Sequence, residues 1–385
     1  MASIKIVECE LNKNTLKNFI KFAWNVYRPA GKPGYKYWVP PLISQEVNIL
    51  RPDKNPFFEH SEAAAFIATR GEIPAGRIVA IWNNNHNIFH DEKVGFFGFF
   101  ECLNDQDVAN ALFDKASEWV KSKGGTALRG PANLTLNDEC GFLAKGFDSI
   151  PFILMPYTPE YYLQLAERAG FKKAQDLYSY YLSKEQMKWE ILPRICERME
   201  KRYNLSIVEI SKKNFDSAAT FVKRIYNKAW SNNWGFVPVT GNEFKKLIKD
   251  LKEIYIPKMT FLVYSGEKPI GWSMSIPNYN EIAIKLNGSL FPFGFIKFLL
   301  GKKKIKQARV FTLGVLPELQ QKGIGAYVMY HCAKSCVESG YMDGEMGWIL
   351  ESNYLMNRGM EQIGATPSKI HRIYERNLTA SLRSQ

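Results

Sequence analysis

The segment TLGVLPELQQKGIG, residues 312–325, could bind an anion through its backbone. An apolar strand pattern ends at Pro317, and helical spacing begins at Gly323. The first amides of a helix have no partner within it, and the helix dipole favours negative charge there. Gly323 and Gly325 let a phosphate approach the backbone because they carry no Cβ, and Lys322 adds charge. The loop therefore predicts pyrophosphate binding.

Three kinds of phosphate-binding loop were compared with this segment. The Gly-Lys-Ser/Thr of a Walker A loop is absent, and Val328 stands where a dinucleotide fingerprint needs its third glycine. The third pattern is Gln-x-x-Gly-x-Gly preceded by Val-x-Pro. It is complete here at Val315, Pro317, Gln320, Gly323 and Gly325.

At these residues the chain resembles the GNAT superfamily, the Gcn5-related N-acetyltransferases. The resemblance covers residues 205–380 well, and Asn353 and Gly364 keep the spacing of the family, with Ala365 in the place of a phenylalanine. It implies an α+β (α/β) fold made of two tandem GNAT-like acyl-CoA N-acyltransferase domains. Each domain would be a mixed twisted sheet flanked by helices.

The resemblance also implies the co-substrate, acetyl-CoA or a longer acyl-CoA. A strand over residues 310–315 would splay from its neighbour and offer its amides to pantetheine, while the loop amides would hold the pyrophosphate. The implied cofactor-binding residues are Leu313, Gly314, Val315, Gln320, Gln321, Lys322, Gly323, Ile324, Gly325, Ala326 and Asn353.

Attack of an amine on a thioester needs a base for the amine, a donor for the oxyanion and a proton for the thiolate. Much of the family uses a tyrosine as the acid, but its position here is Met360, which has no proton to give. The catalytic candidates are therefore Glu345, Glu351, Tyr354 and Tyr374. Ion-paired carboxylates and packing tyrosines stay open as the alternative, as does a non-catalytic acyl-CoA-binding protein.

An internal repeat predicts the domain organisation. Three patterns recur in the same order: a strand and helix, a hairpin with Gly-Glu-x-Pro-x-Gly at its turn, and a strand, loop and helix. The predicted parts are a degenerate GNAT-like domain, a linker helix and a CoA-binding GNAT domain, over residues 1–182, 183–204 and 205–385.

The first half lacks the glycines of the loop. Its corresponding segment, LNDQDVAN at 103–110, carries Asp105 and Asp107, and carboxylates at a helix N-terminus compete with a phosphate. We therefore expect one CoA site, in the second half, with the first half shaping the acceptor site.

Composition limits the remaining function classes. The net charge of +13 favours an anionic partner, but the basic residues are distributed, which argues against nucleic acid. Scattered cysteines and the lack of a signal peptide or membrane span predict a cytoplasmic protein. His86 and His90 lie among asparagines typical of a loop, with no third ligand evident, so no metal site is expected.

An insertion at 285–307 bears on the acceptor. It is aromatic and aliphatic first and lysine-rich afterwards, which suits a segment in a membrane interface or along an apolar chain; a packed hairpin with a basic tip is the alternative. The first hypothesis is acetyl transfer to a small amine. The second is transfer of a long acyl or aminoacyl group to a lipid amine at the membrane surface, similar to bacterial ceramide synthases. The sequence does not indicate an oligomeric state.

Overall fold

The strands and helices are those of a computed structural model that describes residues 2–31, 34–190, 192–320 and 322–379. In these residues the strands are β1 (Ile4–Cys9), β2 (Ser61–Arg70), β3 (Ile73–Asn83), β4 (Val94–Cys102), β5 (Ala127–Gly130), β6 (Phe142–Lys145), β7 (Lys172–Ser183), β8 (Leu205–Glu209), β9 (Thr260–Ser265), β10 (Lys268–Pro277), β11 (Gln307–Val315), β12 (Asp343–Leu350) and β13 (Thr366–Asn377). The helices are α1 (Lys13–Lys21), α2 (Ala23–Tyr27), α3 (Ile43–Ile49), α4 (Asn84–His90), α5 (Gln106–Ser122), α6 (Tyr161–Arg168), α7 (Leu192–Tyr203), α8 (Phe215–Ala229), α9 (Gly241–Leu251), α10 (Asn280–Ala283), α11 (Gly294–Lys302), α12 (Pro317–Gln320), α13 (Ile324–Glu338) and α14 (Tyr354–Gln362).

The residues group into two compact units. The first unit contains Met1–Leu177, Asn280–Gly301 and Lys369–Gln385, and the second contains Tyr178–Tyr279 and Lys302–Ser368. These units describe which residues pack together, and the boundaries of the sequence repeat at 182 and 204 stay a prediction.

The first unit is built on the antiparallel strands β1 to β4, followed by β5, which runs parallel to β4. The C-terminal part of β13 then pairs antiparallel with β5. Helix α5 packs on this sheet because its apolar residues recur at helical spacing, and Val108, Leu112 and Phe113 are fully buried. Phe97 and Phe142 join them in one aromatic core.

The second unit repeats this order. Strands β8 to β11 are antiparallel, and β12 runs parallel to β11. Helices α8 and α13 both pack against β10 and β11, and α7 packs against α13. The mixed sheets flanked by helices confirm the predicted fold class.

Both predicted hairpins are confirmed at their turns. Gly71 joins β2 to β3 with φ +62°, and Gly266 joins β9 to β10 with φ +58°. Backbone of this left-handed kind favours glycine because other residues place a Cβ too close to the chain. The repeated Gly-Glu-x-Pro-x-Gly motif is therefore a turn requirement in each unit.

Three local predictions differ from the structure. The asparagine-rich segment around His86 and His90 is the helix α4, because the side chain of Asn83 caps it by accepting from the amide of His86 at 3.0 Å. The linker helix is only α7, since Pro193 is tolerated only in the first turn of a helix. The alternative interpretation of the insertion as a packed hairpin is wrong, because the insertion contains the helix α11.

Candidate functional site

Strands β11 and β12 separate within the second unit. Among the described residues their parallel pairing ends at Val310 and Met346, although the strands continue to Val315 and Leu350. The second half of β11 thus has a free edge on the β12 side. This is the splay expected from the resemblance.

The hydrogen bonds between β11 and β10 show which amides of β11 point towards the free edge. The amide of Leu316 donates to the carbonyl of Ile270 at 2.9 Å, on the β10 side. Neighbouring amides of an extended strand point to opposite edges. Those of Val315 and Leu313 therefore point into the opening, where they can donate to an extended ligand.

Gly314, between these two residues, touches an indole ring. An added Cβ would lie 2.5 Å from Cη2 of Trp230, closer than such contacts allow. Trp230 follows directly after α8, so the end of that helix holds β11 in place. Sequence reasoning missed Trp230, because no local spacing connects it to a strand more than eighty residues away.

The loop after β11 is held by the predicted glutamine. The side-chain amide of Gln320 donates to the carbonyls of Val315 at 3.0 Å and Ala229 at 3.2 Å. These bonds tie α12 to the end of β11 and to α8. Gln320 therefore acts on the shape of the loop, while the predicted neighbour Gln321 lies outside the described residues.

Helix α13 begins after Gly323, which has φ +79° and is exposed. Among the residues that the structure describes, no side chain caps this helix end. A Cβ added at Gly325 would have no atom within 4 Å, so the space beside the first turn is open. Ile324 is buried under the helix, Ala326 is half-buried, and the predicted cation Lys322 is exposed beside the open turn.

The two glutamates of the β12 region differ in burial. Glu345 is fully buried and in register with Arg309, which is also buried and donates to the carbonyl of Gly347 at 2.8 Å. Glu351 follows the end of β12 and is half-buried. Sequence reasoning missed Arg309. The alternation of side chains between the two faces of β11 could have indicated it, because it places this charged residue on a buried face of an apolar strand.

The residues around α14 have distinct surroundings. Asn353 caps the helix, its side-chain oxygen accepting from the amide of Met356 at 3.2 Å. Tyr354 is exposed, with 80% of its surface accessible. Met360 is buried in an apolar cluster with Tyr180, so the family's acid position is a packing position here.

Tyr374 lies in the first unit. Its hydroxyl donates to Oε1 of Glu167 at 2.7 Å, and burial raises the pKa of the phenol. Its ring packs near Phe142 in the aromatic core. These contacts favour a structural role for Tyr374.

The first unit carries a similar strand opening, but its own chain fills it. Pairing of β4 with β5 ends at Phe96 and Arg129. Beyond that point the amide of residue 132 donates to the carbonyl of Phe97 at 2.8 Å. The amide of Phe99 donates to the side-chain oxygen of Asn133 at 2.9 Å.

The helix after β4 is capped by a carboxylate. Asp105 accepts from the amide of Val108 at 3.2 Å and is bound by two nitrogens of Arg70, each at 2.8 Å. Arg70 lowers the pKa of Asp105, so the charge persists. This helix end already holds its anion.

The described residues contain no group of three or more His, Cys, Asp or Glu side chains arranged to hold a metal ion. Nor does any helix among them have the length and apolar character needed to cross a bilayer.

Comparison with known proteins shows which proteins the chain is similar to. No profile of a known protein family matches it. It is 34% identical over 351 residues to the bacterial ceramide synthase of Caulobacter vibrioides, covering 89% of this chain and 90% of that protein. It is 33% identical over 380 residues to protein YghO of Escherichia coli, covering 97% and 95%.

A solved structure shares the whole fold. It is a tandem GNAT protein from the clavulanic acid biosynthesis pathway, with a TM-score of 0.57 at 10% identity, covering 98% of this chain and all of that one. The relatives and this fold together show that the chain is a tandem GNAT acyltransferase, in the family that includes the Caulobacter ceramide synthase and YghO.

Proposed function

We propose that the chain transfers an acyl group from acyl-CoA to an amine, and that this amine is a lipid amine of the sphingoid-base type. The free edge of β11 beside the open first turn of α13 is the observation that carries the acyl-CoA site. The acceptor rests on the 34% identity with a protein named bacterial ceramide synthase, because ceramide is an N-acylated sphingoid base.

Acyl-CoA would bind through the backbone at two places. The amides of Leu313 and Val315 would pair with pantetheine along the free strand edge. The amides of Ile324 and Gly325 would hold the pyrophosphate, because the first amides of a helix have no partner within it and the dipole favours an anion there. The amide of Ala326, one residue further, already donates to the carbonyl of Gly323 at 3.1 Å. Lys322 adds a positive charge.

The reaction joins the amine nitrogen to the thioester carbonyl carbon and breaks the carbon–sulfur bond. The amine gives a proton to a base, and the departing thiolate of CoA takes one up. Glu351 is the stronger candidate for the base, because its half-buried carboxylate follows the strand that lines the opening. Glu345 is fully buried beside Arg309 and is better suited to hold β11 and β12 together. The exposed hydroxyl of Tyr354 is the remaining candidate donor of a proton to the thiolate.

The test uses the full chain with palmitoyl-CoA and sphinganine. We expect N-palmitoyl sphinganine by mass spectrometry and an equal amount of free CoA thiol, with much less product from acetyl-CoA. Acyl-CoA affinity is measured separately by calorimetry. Tight acyl-CoA binding with no thiol release for any amine would support a non-catalytic acyl-CoA-binding protein. Efficient acetyl transfer to small amines would contradict the lipid acceptor and support the first hypothesis.

Gly323→Val tests the loop. Its side chain would meet the methyl group of Met199 and strain a left-handed backbone by about 1–3 kcal/mol. We expect acyl-CoA affinity to fall at least about tenfold. Gly124→Val is the matched control, because Gly124 has φ +85° with no atom within 4 Å of an added Cβ and lies in the first unit. Equal loss in both variants would contradict the loop assignment.

A further inference from the structure

The helix α11 and the turn before it expose their apolar side chains. None of the residues in this helix is buried. Phe291 is 86% exposed, Phe293 68% and Leu300 71%. A soluble protein rarely leaves contiguous apolar side chains uncovered unless they form an interaction site. We call the α11 patch the six exposed residues Phe291, Phe293, Phe295, Ile296, Leu299 and Leu300.

The charges of this segment all have one sign. Residues 285–306 contain no Asp or Glu. Their lysines are exposed, two within the helix, one before it and three after it: Lys285, Lys297, Lys302, Lys303, Lys304 and Lys306. Apolar side chains combined with flanking lysines match a surface that is apolar just below a layer of negative charge.

The base of the segment is fixed within the first unit. The side-chain oxygen of Asn287 accepts from Trp24 at 2.8 Å and from Arg28 at 2.7 Å. The carbonyl of Gly288 accepts from the amide of Ile43 at 3.1 Å. The base is thus held by hydrogen bonds, while the patch beyond it extends into solvent.

We propose that the α11 patch inserts into the interface of an anionic lipid bilayer. Its phenylalanines and leucines would enter the boundary between headgroups and acyl chains, and its lysines would contact lipid phosphates. A second copy of the chain fits less well. In a two-fold dimer the same patch would face itself, and lysines without a carboxylate in the segment would repel each other.

The experiment is flotation of the full chain with vesicles of phosphatidylcholine and phosphatidylglycerol at 3:1, compared with phosphatidylcholine alone. We expect binding to the anionic vesicles that weakens as salt rises from 50 to about 500 mM, because the Debye length shortens. The triple variant Phe291→Ser, Phe293→Ser, Leu300→Ser should bind at least about tenfold more weakly. Its control is Ile73→Ser, Ile88→Ser, which removes two exposed apolar side chains elsewhere in the first unit.

A second variant separates charge from insertion. Lys302→Gln, Lys303→Gln, Lys304→Gln should weaken binding to the anionic vesicles by about fivefold for each lysine, from about 1 kcal/mol per basic residue near such a surface. The control Lys13→Gln, Lys17→Gln, Lys212→Gln removes exposed lysines outside the segment and should bind as wild type.

Three results would overturn the proposal. The first is unchanged flotation of the serine variant, and the second is an equal loss in the isoleucine control. The third is a dimer, detected by light scattering, that dissociates in the serine variant while flotation with the vesicles stays the same. Thermal unfolding of every variant checks that these exposed substitutions leave the fold intact.

Discussion

The two strand openings of this protein begin alike and end differently. In each unit a parallel pair of strands separates before the first strand ends, β4 from β5 after Phe96 and β11 from β12 after Val310. In the first unit, residues 132 and 133 bond to the freed edge of β4. In the second unit, the pairing of β11 with β12 ends at Val310, and the amides of Leu313 and Val315 point into the opening.

The helices that follow show the same contrast. The connection before α5 is short, residues 103–105, and ends on Asp105, which is bound to Arg70. The connection before α13 is longer, residues 316–323, and ends on Gly323, for which the described part of the chain supplies no capping side chain. One unit satisfies its strand edge and helix end from its own residues. The other has a free strand edge and a glycine at its helix start, which is why we propose the single acyl-CoA site in the second unit.

The largest expected effect comes from closing the second opening. Gly314→Leu would drive a side chain into Trp230, whose ring atoms lie 2.5–3.1 Å from an added Cβ. Overpacking of about 1–3 kcal/mol, with displaced amides worth about 1 kcal/mol each, should lower acyl-CoA affinity about a hundredfold. Calorimetry with palmitoyl-CoA measures it, and unchanged affinity would remove β11 from the site.

A pH experiment tests the first unit at the corresponding place. In the first unit, Glu101 pairs with Arg77, next to the pair of Gly76 and Cys102. In the second unit, Gly314 pairs with Trp272, next to the pair of Gly271 and Val315. Glu101 therefore stands where Gly314 stands in the second unit. Burial raises the pKa of Glu101 from 4.5 to about 7. The native protein therefore holds a proton that the unfolded chain releases, so the contribution of Glu101 to stability is fully present below about pH 4.5 and is lost as the pH rises through about 7.

Glu101→Gln should flatten this pH dependence. The loss in wild type across the window is about 3 kcal/mol at most, since each pH unit between the two pKa values is worth about 1.4 kcal/mol. The pKa of Glu46 is raised to about 7 by burial too, so the slope should decrease and not vanish. Urea denaturation at pH 5 and pH 8 measures both proteins, and equal slopes would contradict the assignment.

Emptying the first opening should affect stability and not binding. Asn133→Ala leaves the amide of Phe99 without its acceptor, at a cost of about 1–3 kcal/mol in the free energy of unfolding. Acyl-CoA affinity should stay the same, because the assigned site lies in the second unit. A fall in affinity without a fall in stability would show that the first opening takes part in binding.

The smallest effect concerns the helix cap of the first unit. Asp105→Ala removes the acceptor for Val108 and the partner of Arg70, at about 0.5–2 kcal/mol. Thermal unfolding measures this change. Asp107→Ala is the matched control, because that carboxylate contacts Arg70 only at 3.4 Å and is largely exposed. Equal losses in the two variants would contradict the special place of Asp105.

Sequence reasoning was strongest where neighbouring residues carry the chemistry. The order of strand, loop and helix at residues 308–338 and the turns at Gly71 and Gly266 are local, and the structure confirms them. It was weakest at helix ends. The asparagines around His86 indicate a loop by composition, but as caps they start a helix.

The sequence by itself determined that the second half has a glycine-entered helix after a strand, that the first half has aspartates in that place, and that 285–307 is apolar and basic. These properties follow from residue types and short spacings. Only the tertiary structure decided that Asn133 fills one opening, that Trp230 supports the other strand, and that Tyr374 packs in the first unit. Such contacts join residues far apart in the chain, and folding, not local spacing, brings them together.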